Sequence, residues 1–241
     1  MKSFAQNNED KIVIDLFFKK NIKNGVFIEF GAWDGVHLSN CKLLADHDWS
    51  GFFIEGNSLR FEDCKKNYKD NNKIKVLNKF IDEKFTLNDL IKENNIDKID
   101  VLSIDIDGKD LTELKRLTLV KPKVIIIEYN STIPFDVECE DNIGGNGSSY
   151  LSINNHLSKN NYELINFTAC NLIFIEKDFN QNENKKVEVF EMIEKLKPVR
   201  FGFNNFGEMF FIENKKIKKK RTFQVPYNEK FHFISTCTKI Y

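Results

Sequence analysis

Proline, methionine and tryptophan are scarce, at 4, 3 and 2 of 241 residues, whereas phenylalanine reaches 23 and Lys, Asn and Ile stand in for Arg, Gln and Leu over long stretches. That bias reads as coding preference in an AT-rich bacterial genome, not as function. Net charge is lacking too. The 36 Lys+Arg balance 36 Asp+Glu, which removes the bulk electrostatic reason to expect nucleic acid or an anionic membrane as partner. Five cysteines, at positions 41, 64, 139, 170 and 237, form no CxxC pair, and an odd, scattered set makes a poor disulfide framework. No apolar run approaches the ~20 residues of a membrane span. The N-terminal run is interrupted by Asp15 and preceded by Glu9 and Asp10, unlike a signal peptide. These absences predict a cytoplasmic protein without a membrane span or a nucleic-acid partner; they still allow a small anionic substrate and a homo-oligomer.

What is present is an alternation of short apolar runs with amphipathic segments. Strands are expected at Val26–Phe30, Phe52–Glu55, Ile74–Leu77, Ile99–Ile104, Val124–Tyr129, Tyr162–Phe167 and Leu172–Ile175. Helices are expected behind the hydroxyl residues Ser39, Ser58 and Thr86, each able to cap free backbone N–H groups. A βαβαβαβαβ order to about Tyr129 implies a parallel sheet with helices on both faces. A polar, Gly-rich loop, 130–149, then leads to a helix at Tyr150–Lys159. Only Thr168–Asn171 separates the last two strands, which forces an antiparallel pair because a parallel return needs a dozen or more residues. The expected fold is α/β: a doubly wound, Rossmann-like seven-stranded sheet, mostly parallel with an antiparallel terminal hairpin. Residues 1–177 form this core. Residues 178–241 form an appendage packed on it, with one helix facing inward through Val187, Phe190, Ile193 and Leu196, a strand-like GEMFFIE and a basic stretch, Lys215–Arg221, read as a solvated turn.

The first strand runs into Glu29-Phe-Gly31-Ala32-Trp33-Asp34-Gly35. A glycine turn after strand one is where a nucleoside cofactor comes closest to backbone. A dinucleotide prefers GxGxxG, and a bulky, acidic turn is hostile to two phosphates. S-adenosylmethionine has no phosphate but carries an ammonium and a sulfonium, so Glu29 and Asp34 suit it. Twenty residues past Gly35, the second strand ends in Glu55, placed to accept both ribose hydroxyls. After strand three, Ile81 is placed to flank an adenine and Asp82 to accept from its amine. The fourth strand runs into Asp105 and Asp107, read as two carboxylates on one face, and the fifth into Glu128 and Asn130 beside them. Such a cluster can hold a divalent metal through hard oxygens, with Asp107, Glu128 and Asn130 as ligand candidates, or a general base against an acceptor hydroxyl. His156, on the helix after the Gly-rich loop, is a third candidate for the proton.

These blocks, with FAQNNEDKIVIDLFF before them and SSYLSINNHLSKNNYELINFTACNLIFI after, resemble the FkbM-type branch of S-adenosylmethionine-dependent methyltransferases in order and spacing over residues 4–176. The resemblance implies a class I fold with Glu29, Gly31, Asp34 and Gly35 around the methionine part, Glu55 on the ribose and the Asp105/Asp107 edge near the transferred methyl. It also implies that Gln6 and Glu9 fold over the cofactor site. Ala32, Ser39 and Asn40 complete the expected cofactor set. The expected activity is O-methylation of a sugar, glycan precursor or other small, even phosphorylated, metabolite, in polysaccharide or capsule synthesis, with Asp107, Glu128 and His156 as catalytic candidates. Two rivals stand beside it. Asp105-Ile-Asp107-Gly108 imitates the DxDG of metal-dependent phosphatases, and the fold also suits a non-catalytic S-adenosylmethionine-binding module.

Overall fold

The computed structural model of the protein describes residues 1–141, 147–196, 200–203, 209–213 and 216–219. Its elements in order are α1 (Glu9–Lys19), β1 (Val26–Phe30), α2 (Lys42–Asp46), β2 (Ser50–Glu55), α3 (Ser58–Asn67), β3 (Ile74–Asn78), α4 (Leu87–Asn94), β4 (Val101–Ile104), α5 (Asp110–Arg116), β5 (Val124–Glu128), α6 (Tyr150–Lys159), β6 (Tyr162–Phe167), β7 (Asn171–Glu176), α7 (Lys177–Asn180), α8 (Val189–Leu196), β8 (Arg200–Phe203), β9 (Met209–Glu213) and β10 (Lys216–Lys219). Seven strands form one sheet in the order β3-β2-β1-β4-β5-β7-β6. The first five are parallel, and β7 lies antiparallel between β5 and β6. The order reverses between β1 and β4, so the crevice outside their carboxyl ends is where an open α/β sheet binds ligands.

Both faces are covered, and strand alternation assigns each residue to one of them. Val124 and Ile126 join Phe27, Phe53, Val101, Ile173 and Ile175 under α1, α2 and α3. Ile125 and Ile127 join Ile28, Ile54, Leu102, Leu172 and Phe174 under α4, α5 and α6. At the carboxyl edge this alternation puts Glu29, Glu55, Glu128 and Asn171 on the α1 face.

Helix starts follow the expected chemistry with two adjustments. Thr86 and Asp89 form a reciprocal capping box at α4. At α3 the cap is Asn57, one residue before Ser58, because its side-chain oxygen reaches the N–H groups of Leu59 and Arg60. At α2 the helix begins at Lys42, whose N–H donates to Ser39 Oγ at 3.0 Å.

Further along, α8 buries Met192, and Val187 and Leu196 of the expected stripe pack against the same core, while Phe190 is 58% exposed. The basic stretch contributes β10, paired antiparallel with β9, in place of the expected turn. Its ends, Lys215, Lys220 and Arg221, lie outside the described residues. No described helix is long and apolar enough to cross a membrane.

Candidate functional site

The turn after β1 is set by close backbone packing. Gly31 has φ +66°, and a Cβ there would come 1.7 Å from the Asp105 carbonyl oxygen, so the β1 and β4 exits touch with no room for a side chain. Trp33 N–H donates to Glu55 Oε2 at 2.8 Å, and Asn57 N–H donates to Glu55 Oε1 at 2.7 Å. Glu55 therefore ties the turn to the end of β2. Asp34 Oδ1 accepts from the N–H groups of Val36 and His37. Gly35 packs on α3: its carbonyl accepts from Tyr68 OH at 2.6 Å, and a Cβ would strike the Tyr68 ring and Cys64. Ala32 is buried, with its N–H on the Ile54 carbonyl.

Glu29 lies buried beneath this turn. Its carboxyl accepts from Ser39 Oγ at 2.7 Å, Asn40 N–H at 2.8 Å and Cys41 N–H at 3.1 Å, while Asn40 Nδ2 donates to Ser103 Oγ. Burial outweighs these donors and pushes its pKa up to about 7. The role the geometry gives Glu29, Ser39 and Asn40 is to lock the loop behind the turn. At the far side, Ile81 is half-buried against the core, and Asp82 Oδ1 accepts from Lys84 and Phe85 N–H groups, which hold its carboxyl below the usual range.

The leader lies across the same edge. Glu9, fully buried, accepts from Asn7 N–H at 2.7 Å and from Thr168 Oγ1 at 2.6 Å in the β6–β7 turn, and Ala5 bridges to Leu38 behind the glycine turn. Exposed Gln6 stands 3.6 Å from Cys170 Sγ. Glu9 thus packs on the β6–β7 turn, with Gln6 beside Cys170.

Beyond β4 the chain does not stay extended. Asp107 has φ +56°, so it reaches the edge through a left-handed turn and not, as the spacing suggested, as the next same-face residue of a strand. The turn is pinned by Asp110, which accepts from Ile106 N–H at 2.8 Å and Gly108 N–H at 3.1 Å and whose pKa burial pushes up to about 7. Asp105, Asp107 and Glu128 nevertheless converge, with one carboxylate oxygen of each within 4.8 Å of the others. Asp105 and Glu128 lie within hydrogen-bonding reach of each other, an arrangement suited to sharing a proton or a cation. Burial, then the charge of Asp107, raises the Asp105 carboxyl, and burial, then the charges of Asp105, Asp110 and Asp107, raises that of Glu128 above the usual range. Three hard oxygens in this spacing are also able to hold a divalent cation. Asn130 is directed elsewhere, with its Oδ1 accepting from Thr132 N–H at 3.0 Å. Beside Glu128 opens a cleft of about 200 Å³ lined by Tyr129, Asn130, Ser131, Gly147 and Cys170.

His156 is not brought to this group. It lies two turns into α6, half-buried among Lys115, Glu140 and Lys159, where burial and Lys115 hold its pKa below the usual value. Two residues escaped the sequence reading: Asp110, hidden because a helix-start acid looks like a simple cap, and Asn171, hidden because it read as a turn residue. The short connection after β6, residues 168–170, was the available signal for the second, since it lets Asn171 open β7 opposite Glu128.

A family model described as the methyltransferase FkbM domain matches residues 40–164, more than half of the chain. No curated protein matches. Among solved structures, a candidate caffeoyl-CoA O-methyltransferase from Staphylococcus aureus is 16% identical with a TM-score of 0.50, covering 72% of this chain and 85% of that one. The METTL16 methyltransferase domain is 18% identical at TM-score 0.47, covering 69% of this chain and 65% of that one. The N-terminal domain of EvdMO1, solved with S-adenosylhomocysteine and D-fucose, is 11% identical at TM-score 0.46, covering 72% and 84%.

Proposed function

The chain belongs to the FkbM methyltransferase domain family and is an S-adenosylmethionine-dependent methyltransferase, and on that premise we propose that it methylates a hydroxyl oxygen of a sugar, glycan precursor or similar small metabolite. The observation that carries this reading is the convergence of Asp105, Asp107 and Glu128 at the β4 and β5 exits, with the Asp105 backbone packed on the Gly31 turn and Glu128 lining a cleft of about 200 Å³. That volume is below the ~300–1,000 Å³ of sites that engulf a drug-sized ligand, so it suits one ring-sized polar group of an acceptor.

The sulfonium is already activated, so the protein must align an in-line displacement and accept one proton. In this reading Gly31, Ala32, Asp34 and Gly35 shape the turn around the methionine part. Glu55 meets the ribose, and Ile81 and Asp82 lie along the adenine. Glu29, Ser39 and Asn40 hold the loop behind them, and Gln6 and Glu9 close over the edge. Asp107 and Glu128 stand nearest the acceptor. A carboxyl raised toward the working pH, as burial and its neighbours raise Glu128, is suited to general-base work. Residues 178–241 would serve acceptor choice. The phosphatase alternative gives way, because the DxDG block follows the fourth strand and Asp105 is engaged with Glu128.

Mass spectrometry of sugars and nucleotide sugars incubated with deuterated-methyl cofactor tests the acceptor class. Asp107→Ala and Glu128→Ala should each lower kcat by about 10²–10⁴ with little change in cofactor affinity. Turnover intact in both would remove the catalytic assignment. A divalent cation on the three carboxylates would acidify the hydroxyl to the same end, and turnover that survives a chelator separates that variant of the reading.

A further inference from the structure

Single apolar residues scattered over a surface are ordinary, whereas several on adjoining loops are not. Of nine large apolar side chains exposed among the described residues, four (Trp33, Leu38, Leu59 and Phe80) stand where β1, β2 and β3 give way to their loops. Three of them share one rim. The Phe80 ring lies against Gly56, where a Cβ would come 2.5 Å from it. Leu59, 80% exposed, follows in the first turn of α3, and its neighbour Arg60 stacks a guanidinium over the Trp33 ring at 4.1 Å. Trp33 is held in place from two sides. Its φ of +52° is left-handed, a conformation disfavoured for a bulky residue, and its N–H is fixed on Glu55. The rim thus keeps large apolar groups in water at the mouth of the strand edge.

The neutrality of the chain is also a sum of unlike parts. Residues 197–241 hold ten Lys+Arg against three Asp+Glu, and the rest of the chain carries the matching acidic excess. Six of the ten fall within residues 215–221, and of these Lys216, Lys218 and Lys219 lie on β10, the outer strand of its sheet. We propose that the chain docks peripherally on an anionic phospholipid bilayer, with the Trp33–Leu59–Phe80 rim entering the interface and the basic segment supplying the attraction. Peripheral binding grows with apolar area and with positive charge, and this chain offers both. Each Lys or Arg near an anionic leaflet strengthens binding about fivefold. A nucleic acid would use the cations and the aromatic rings but has no place for the aliphatic Leu59. Docking through the rim turns the carboxyl edge of the sheet toward the bilayer, which suits an acceptor glycan carried on a lipid. That last step rests on the methyltransferase reading; the docking itself does not.

Vesicle flotation of the full chain, with neither cofactor nor acceptor present, tests the docking. Vesicles of phosphatidylcholine with one-third phosphatidylglycerol should bind it about tenfold or more tighter than phosphatidylcholine alone, and added salt should weaken the binding. The sequence has two tryptophans, and Trp49 is buried in the core. A blue shift of tryptophan emission on adding the anionic vesicles therefore reports Trp33, and Trp33→Phe should abolish it. Leu59→Ser and Phe80→Ser should each weaken vesicle binding about tenfold while leaving S-adenosylhomocysteine affinity within about twofold of wild type. Replacing Lys216, Lys218 and Lys219 together by Gln should weaken it about 100-fold. Equal binding to both vesicle types overturns the docking, as does an emission maximum that stays in place or binding that Leu59→Ser and Phe80→Ser leave unchanged. Three other results overturn it by naming another occupant of the rim. Tighter binding of a single-stranded oligonucleotide makes the partner a nucleic acid, self-association lost in Leu59→Ser makes it a second copy, and weakened S-adenosylhomocysteine binding in the rim variants makes the rim a wall of the cofactor site. A wild type that binds the anionic vesicles as described but not S-adenosylhomocysteine supports the docking and refutes the cofactor reading instead.

Discussion

Replacing Gly31 by Ala probes the contact on which the site depends. At φ +66° the backbone alone costs a non-glycine residue about 1–2 kcal/mol. The added Cβ would lie 1.7 Å from the Asp105 carbonyl oxygen and 2.9 Å from its carbon, so the β1 and β4 exits must part by roughly 1.5 Å to restore ordinary contact. Forcing atoms into such a packed position adds about 1–3 kcal/mol. The sum, about 2–5 kcal/mol, is a large part of the ~5–15 kcal/mol that holds a typical domain. At about 2–4 °C per kcal/mol for a chain of this size it lowers Tm by roughly 4–20 °C. Gly147→Ala is the control: its φ is +77°, but no described atom lies within 4 Å of the new Cβ, so only the backbone cost of about 1–2 kcal/mol applies. Thermal unfolding followed by circular dichroism reads both. Displacing Asp105 should also cost about 10²-fold in turnover, as misplacement by 1 Å can. A Gly31→Ala protein that melts with the Gly147→Ala control and turns over normally would refute the claim that this contact is closed.

Two further predictions concern the supports of the turn. Tyr68→Phe removes the 2.6 Å hydrogen bond to the Gly35 carbonyl and leaves that oxygen short of a donor, so it should destabilise by about 1–3 kcal/mol in urea unfolding, and an unchanged midpoint would contradict the assignment. Glu29 supplies a pH dependence. Its carboxyl rises from 4.5 to about 7 on folding, so the folded state binds the proton more tightly, and the associated stability is full below about pH 4.5 and is lost as pH rises through about 7. Asp110, raised from 3.8 to about 7, acts with the same sign. Urea midpoints should therefore fall between about pH 5 and pH 8, and Glu29→Gln should flatten that slope; a wild-type midpoint that climbs over this interval refutes it.

What could be read from the sequence depended on whether the signal was side-chain periodicity or backbone direction. Val124–Tyr129 and Leu172–Ile175 announce themselves as apolar runs, and the short connection between β6 and β7 dictates an antiparallel pair, so that hairpin was legible; that β7 and not β6 pairs with β5 left no such signal. Thr86 and Asp89 carry a capping box in plain view. Glu29 was harder. Its spacing suggests a ligand carboxylate, but the N–H groups of Asn40 and Cys41 turn toward it, and loop amide orientation leaves no mark in residue type. His156 failed for a related reason: position on α6 could be counted, but distance down the helix from the strand edge needed the register of α6 against α5 and β6. Asp107 reached the predicted place by an unpredicted route, since an aspartate tolerates the left-handed turn that re-aims it.

The same distinction separates the acids of the strand edge by role. Net neutrality of the chain hides six carboxylates gathered at the strand ends, and crowding anions at a half-buried edge is unfavourable unless each finds donors. Glu29 is met by two backbone N–H groups and a hydroxyl, Glu55 by two N–H groups and Asp34 by two. Those three find their donors in the fold itself. Asp105 and Glu128 receive no such amides among the described residues and face each other, and burial with the neighbouring acids raises both carboxyls. A pair placed so is stabilised by a shared proton or by a cation. The unfinished hydrogen bonding, rather than the acidity, sets this pair apart from the acids that the turn already satisfies.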